Sequence, residues 1–538
     1  MKEILKILTA GIILVSLFAA IAAADNGKEI SNNEPSFKIP DYSEQYSSSD
    51  ATKHVFIAFR SKPGLKEKSL VLEHKGKIRS QFLDQNAFSA DIPHDQIDEL
   101  TRDPKVLYVE EDPMRYALGL SDFELEPSLS NGLYGLITSG STSVHARGIT
   151  GEGAFVCIAD TAIDQNHTDI KSNLIETADF NSQPVDIVNE THATHVAGTV
   201  IAAMNNMGVR GVAYNASMYH ARVLGPEGGL SSEVMDGVRW LVEDKKCEVV
   251  GLSLGDSRRS RTEELFYRDM YKKGALIVAA AGNENSKRLI FPAGYNEVLA
   301  VGAVDRNNVH ASFSNTGKNL DLSAPGVDVL SSVPRGMGSE SFVITNDIYY
   351  NAYGLELAGK TVGVSGTMVN CGLGNSPSDF PSIVAGNISL ISRGSATFES
   401  KVDNAMKAGA TAVIIYNNVA GDFIGTLVNA TNNTGSTWIP AVSVSNTTGA
   451  ILVEQAGQTA TVGNHISDWD YYSGTSMATP HVVGVAALVS SANHSLTITQ
   501  IESILKRTAT DLGKPGYDIT YGFGLVNASA AVEAAVNP

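Results

Sequence analysis

Cysteine is scarce in this chain. Cys157, Cys247 and Cys371 are the three in 538 residues, an odd and sparse set that excludes the disulfide framework of a small secreted scaffold. Cys157 and Cys247 each sit in an apolar run and read as small buried hydrophobes. No C-x-x-C or H-E-x-x-H spacing occurs, which removes metal centres of those kinds. Positive charge is also short: 40 Lys and Arg face 58 Asp and Glu, for a net charge of -18. That is the wrong sign for a protein that grips a phosphate backbone, so nucleic acid is excluded as the main partner. Beyond Ala24 no apolar run is long enough to span a bilayer, which excludes a polytopic membrane protein. With 43% hydrophobic and 18% charged residues, the chain is not largely disordered either. Its length suits roughly two to four domains of about 100–200 residues.

What is present divides the chain into pieces. Two lysines in Met1–Lys6, an apolar stretch from Ile7 and Ala22-Ala23-Ala24 before Asp25 read as a cleaved secretory signal over 1–24. The expected location is therefore extracellular, with no membrane attachment after cleavage. Residues 25–52 are rich in Ser, Asn, Glu and Pro and read as a linker. Residues 53–117 suit a compact α+β unit of three strands (HVFIAF, FSADI, VLYVEED) and two helices. From 128 to 338, continuous apolar runs alternate with helical patterns, the signature of an α/β doubly wound parallel sheet covered on both faces. The rhythm breaks over 340–463, where short β-like stretches surround one helical segment, and returns over 465–538. An inserted β-rich domain explains the interruption.

In an open parallel sheet, ligands bind beyond the carboxyl ends of the strands, so polar residues closing apolar runs are candidate chemistry. Asp160 closes AFVCIAD and Asn283 follows LIVAAAG; His192 opens HATHVAGTVIAAM, and Ser476 precedes another apolar helix in G-T-S-M-A-T-P. A hydroxyl nucleophile needs a base, a carboxylate that fixes the base's tautomer, and donors for the oxyanion. These four residues supply each part.

The four segments D-T-A-I-D at 160–164, H-A-T-H-V-A-G-T at 192–199, A-A-G-N-E at 280–284 and G-T-S-M-A-T-P-H at 474–481 closely resemble the subtilisin-like serine proteases, in that family's order. The resemblance implies a serine endopeptidase with Asp160 as orienting carboxylate, His192 as general base, Ser476 as nucleophile and Asn283 as oxyanion donor. It implies that a substrate strand pairs with Ser253-Leu254-Gly255 on one side and Gly228-Gly229-Leu230 on the other. Ala280, Ala281 and Gly282 would wall the first specificity pocket, with Glu284 at its mouth. Asp169 and the Met204-Asn205-Asn206 loop resemble the family's structural calcium site, making Asp169 and Asn206 candidate ligands; no cofactor is expected for the chemistry. The 53–117 unit resembles the family's propeptide, an intramolecular inhibitor removed by a cut within about 115–131. The insert resembles a protease-associated (PA) domain through I-S-L-I-S-R-G and the segment after it, residues 388–418. Substrates would be proteins or peptides, and a monomer is expected. Two positions depart from the family pattern: Ala162 and Ala193 stand where glycine is usual, a cost if either needs φ > 0. His195, three residues after His192, reads as a structural histidine. The rival readings are a secreted pseudoenzyme or binding module acting through the insert, and an acidic serine peptidase of the same fold, against which His192 and Asn283 argue.

Overall fold

The computed structural model describes residues 52–118 and 133–537, apart from 422, 424 and 428–436. The expected signal segment, and the linker up to its last residue, lie outside the described residues.

The apolar runs form a seven-stranded sheet, in the order Leu320–Pro325, Val298–Val304, Leu276–Ala280, Val249–Leu252, Phe155–Asp160, Ser217–Arg222, Leu174–Asp179. All its neighbouring strands run parallel. Val298–Val304 is buried at every position, because helices cover both faces and no side of the strand meets water. On one face, Val196 and Val200 of the helix His192–Ile201 pack with Val482 and Val485 of Thr475–Ala492. On the other, Val234 and Met235 of Ser231–Arg239 pack with Phe266 and Met270 of Arg261–Lys272. Strand order reverses at Phe155–Asp160, which makes its carboxyl end the natural crevice.

Cys157 and Cys247 are buried, as their surroundings require, but they are also joined as a disulfide across a Cα–Cα distance of 6.2 Å. Reading each as a lone hydrophobe missed this, because the partners lie 90 residues apart in sequence and meet only when the turn before Val249–Leu252 is brought beside Phe155–Asp160. Cys371 is free and buried.

The N-terminal unit is a four-stranded sheet ordered Lys77–Phe82, Ala87–Pro93, Thr52–Phe59, Val106–Glu111, its pairs antiparallel. Lys77–Phe82 was not among the expected strands; KIRSQF is mostly polar and half-exposed at the sheet edge, so it carries little apolar alternation. One face packs on the helices Leu65–Glu73 and His94–Arg102 through Leu70, Val71 and Leu100. Phe56 and Phe82 of the other face join the core of the α/β domain beside Phe266. Acidic side chains dock this unit on helix N-termini, where free N–H groups and the dipole favour them. Glu110 accepts from Thr262 N at 2.8 Å and Arg261 N at 3.1 Å. Asp112 accepts from Ser232 N at 3.0 Å and Ser89 Oγ at 2.7 Å. Burial pushes the Asp112 carboxyl up to about 6 despite those bonds.

The insert closes into a seven-stranded barrel between Gly338 and Ser467. It contains Phe398–Lys407, the expected helix, and a second helix at Asn446–Glu454, whose β-branched and small residues (NTTGAILVE) disguised it as strand. The chain leaves and re-enters the α/β domain through an antiparallel pair, Val329–Ser332 with Trp469–Tyr472. Among the described residues, no helix is long and apolar enough to cross a membrane.

Candidate active site

Asp160 ends the central strand, fully buried, and His192 is the first residue of its helix. His192 Nδ1 lies 2.7 Å from Asp160 Oδ1, which also accepts from Thr161 N at 2.7 Å. His192 Nε2 has no hydrogen-bond partner among the described residues. Ser476 is the second residue of the helix Thr475–Ala492. Its hydroxyl donates to Ser253 O at 3.0 Å instead of to His192, while Ser253 Oγ donates back to Ser476 O at 2.9 Å. Asn283 is fixed by Thr475, whose N and Oγ1 donate to Asn283 Oδ1 at 2.9 and 2.8 Å. That leaves the Asn283 amide free to donate, and Nδ2 does so to Leu118 O at 2.9 Å.

Leu118 belongs to the chain's own N-terminal segment. The strand Met114–Ala117 lies between Leu254–Gly255 and Gly229–Leu230, antiparallel to both. Leu118 N continues the pairing to Ser253 O at 3.4 Å, and its side chain packs on Ala280 and Ile290. Two glycines permit this approach: a Cβ at Gly228 would fall 2.5 Å from Arg115 O, and one at Gly474 2.7 Å from Leu118 O. An extended segment is thus held by backbone pairing on both edges, with one carbonyl delivered to the Asn283 amide beside Ser476.

Residues 151–367 match the model of the Subtilase family, and residues 364–452 match that of the PA domain. Subtilisin E of Bacillus subtilis is 35% identical over 278 residues, which cover 50% of this chain and 70% of that protein. The chain belongs to the subtilase family. Alkaline elastase YaB of Bacillus sp. (strain YaB) is 33% identical over 305 residues, 52% of this chain and 76% of that protein. The subtilisin-like protease Apa1 from the Antarctic psychrotroph Pseudoalteromonas sp. AS-11 superposes with a TM-score of 0.59 at 31% identity, covering 77% of this chain and all of that one. This subtilase is accordingly a subtilisin-like serine endopeptidase, and its substrates are proteins.

The remaining expected residues fall as follows. Of the three expected pocket walls, Ala280 packs under Leu118, Ala281 joins the core that holds Phe266 and Tyr295, and Gly282 makes the turn that follows, at φ 108°. The Glu284 carboxylate is engaged by the Asn315 amide rather than standing as a free acid. Asn315, which sequence reasoning missed, is fully buried and braces the whole loop: its Oδ1 accepts from Glu284 N at 3.1 Å and Ser286 N at 2.8 Å, and its Nδ2 donates to Ala281 O at 3.2 Å. Ala162 and Ala193 keep ordinary negative φ, so the absent glycines cost nothing in backbone strain. His195 is fully buried, 2.9 Å from Val329 O and stacked on Tyr472, and desolvation drops it to about 3, so it stays neutral.

The expected calcium ligands do not fit a cation. Asp169 is fully buried, but donors surround its carboxylate: Asn205 Nδ2 at 2.8 Å, Trp469 Nε1 at 2.6 Å and Ser332 Oγ at 3.2 Å. Calcium needs six to eight oxygens, and N–H groups occupy this side chain instead. Asn206 is exposed, and no group of three His, Cys, Asp or Glu able to hold a metal exists among the described residues. Trp469 Nε1, at 2.6 Å from Asp169 Oδ2, ties this segment to the strand Trp469–Tyr472.

Proposed function

We propose that this subtilase is a secreted zymogen that removes its own N-terminal unit by cleaving Leu118–Gly119 through Asp160, His192 and Ser476. One observation carries the reading: the 2.9 Å contact from Asn283 Nδ2 to Leu118 O, made while the preceding residues pair as a strand on both sides of the cleft. Ser476 Oγ rotates from Ser253 O, gives its proton to His192 Nε2 and attacks the Leu118 carbonyl carbon. Asp160 holds the Nδ1–H, fixing the tautomer that leaves Nε2 unprotonated and stabilising the imidazolium that forms. Negative charge develops on Leu118 O, where the Asn283 amide and the Ser476 N–H at its helix N-terminus receive it. The intermediate collapses, His192 protonates the departing Gly119 nitrogen, and Leu118 remains as an acyl ester on Ser476. Water, deprotonated by His192, then hydrolyses the ester. Residues up to Leu118 stay docked as an inhibiting product until they dissociate.

The test is self-processing. Ser476→Ala, expressed without residues 1–24 and purified, should remain one chain, whereas the wild type should acquire Gly119 as its N-terminus. Maturation of the variant to that N-terminus in the absence of other proteases refutes the reading.

A further inference from the structure

Counting back from the carbonyl held by Asn283, Arg115 is the fourth residue before the bond to be cut, on the strand segment that pairs with Gly229. Its side chain is fully buried, and so is that of Glu263, its partner. The guanidinium meets the carboxylate along two edges: Nε to Oε1 at 3.1 Å and Nη2 to Oε2 at 2.5 Å. Nη2 also donates to Arg258 O at 3.1 Å. This two-pronged geometry is one that arginine provides and lysine does not.

The partners of the Glu263 carboxylate other than Arg115 come from the catalytic domain, while from the N-terminal unit Met114 O accepts from Arg115 Nη1 at 3.1 Å and Glu110 accepts from Ser260 Oγ at 3.0 Å. Glu263 sits in the first turn of Arg261–Lys272, with its N–H on the Ser260 hydroxyl that caps the helix. Ser231 Oγ donates to Oε1 at 2.8 Å, and the Tyr295 hydroxyl lies 2.7 Å from Oε2. Tyr267, fully buried, packs against Tyr295. These neutral groups hold the carboxylate in position without balancing its charge. A buried carboxylate without a cation is costly, and one whose partner is withdrawn leaves a vacancy of defined shape and sign. When residues up to Leu118 depart, Glu263 remains on the rigid helix, and the strand cleft that held Arg115 is open to a substrate strand.

The geometry points to Glu263 as a specificity-determining residue: this subtilase selects arginine at the fourth position before the cleaved bond, in substrates of the pattern Arg-x-x-Leu. The inference rests on the reading that the cleft cuts after Leu118. Backbone pairing along Gly229–Leu230 and Leu254–Gly255 is indifferent to side chains, so discrimination falls to the pockets. A site built to hydrogen-bond a substrate group rejects analogues that lack it far more strongly than an apolar pocket does. Replacing the arginine by a neutral residue should reduce kcat/KM by roughly 100-fold or more, the range expected when a buried pair loses one partner and water partly compensates.

The experiment uses mature wild-type enzyme, counted by active-site titration, and three chromogenic peptides: Met-Arg-Tyr-Ala-Leu anilide and its counterparts with citrulline or leucine for arginine. Citrulline keeps the shape and removes the charge. The arginine peptide should be cleaved with kcat/KM about 100-fold above both others, and Glu263→Gln should bring the ratio within about 5-fold, chiefly by slowing the arginine peptide. Equal cleavage of all three by the wild type overturns the assignment while leaving cleavage after leucine intact. Failure to cut any of them, or denatured casein, overturns the proteolytic reading of the cleft and this inference with it. Because the wild-type comparison decides alone, a Glu263→Gln chain that failed to fold would not rescue the proposal from a flat peptide profile.

Discussion

Replacing Asn283 by alanine isolates the electrostatic part of the chemistry. The side chain contributes one donor to the Leu118 carbonyl at 2.9 Å and accepts two hydrogen bonds from Thr475. Losing one donor of this type raises the barrier by about 2.7–4 kcal/mol, or roughly 10²–10³ in kcat. The ground-state carbonyl loses little by comparison, so KM should stay within about 3-fold. A second consequence concerns Thr475, whose N–H loses its acceptor. Thr475 Oγ1 still receives Gly282 N at 3.2 Å, so the loop keeps an anchor, and the stability cost should be about 1–3 kcal/mol. Two assays read the same barrier: initial rates on the Met-Arg-Tyr-Ala-Leu anilide, and the time course by which the full-length chain shortens to Gly119. Both should slow by the same factor. An unchanged kcat with a raised KM, or maturation at the wild-type rate, would refute the assignment of Asn283 to the transition state.

Further outcomes follow from other contacts. The Asp112 carboxyl, held near 6 when docked against an ordinary value of 3.8, makes docking tightest in acid, since the docked state binds the proton better; that advantage is lost as pH rises through 6. The cleaved N-terminal unit should therefore inhibit roughly tenfold better at pH ~5 than at pH ~7.5, and Asp112→Asn should flatten the difference; tighter inhibition at the higher pH would contradict this. Opening the Cys157–Cys247 loop, which spans 90 residues, with Cys247→Ala should cost about 4–5 kcal/mol in urea unfolding; a loss under ~1 kcal/mol would mean that the bond constrains little. Excess chelator should leave the Tm unchanged, because donors saturate Asp169; a fall in Tm reversed by calcium would show a cation site after all.

Much of the α/β frame was legible because the central strands, such as Val249–Leu252, Leu276–Ala280 and Val298–Val304, are buried on both faces and so appear as unbroken apolar runs, whereas the edge strand Leu174–Asp179 is half-exposed and carries no such run. Asp160 and Asn283 were visible because each closes or follows an apolar run, and His192 and Ser476 because each opens an apolar helix. Contacts that depend on where distant segments meet were not legible. Glu263 lies in R-T-E-E-L-F-Y-R-D, which reads as a solvated charged helix face until Arg115 is brought to it from 148 residues away. Asn315 looks like a loop residue, yet it is the buried brace of the Ala281–Ser286 turn. Trp469 reaches Asp169 from 300 residues away and turns a cation pattern into an indole contact. Lys77–Phe82 and Asn446–Glu454 were obscured by local composition, the one too polar for a strand pattern and the other too β-branched for a helix.

The central claim is that Ser476 is the nucleophile. Mature enzyme treated with a phosphonylating serine reagent at neutral pH, then digested and mapped by mass spectrometry, should carry one adduct, on Ser476, in proportion to the activity lost. Full inactivation with the adduct on another residue, or an unlabelled Ser476 in inactivated enzyme, would contradict it.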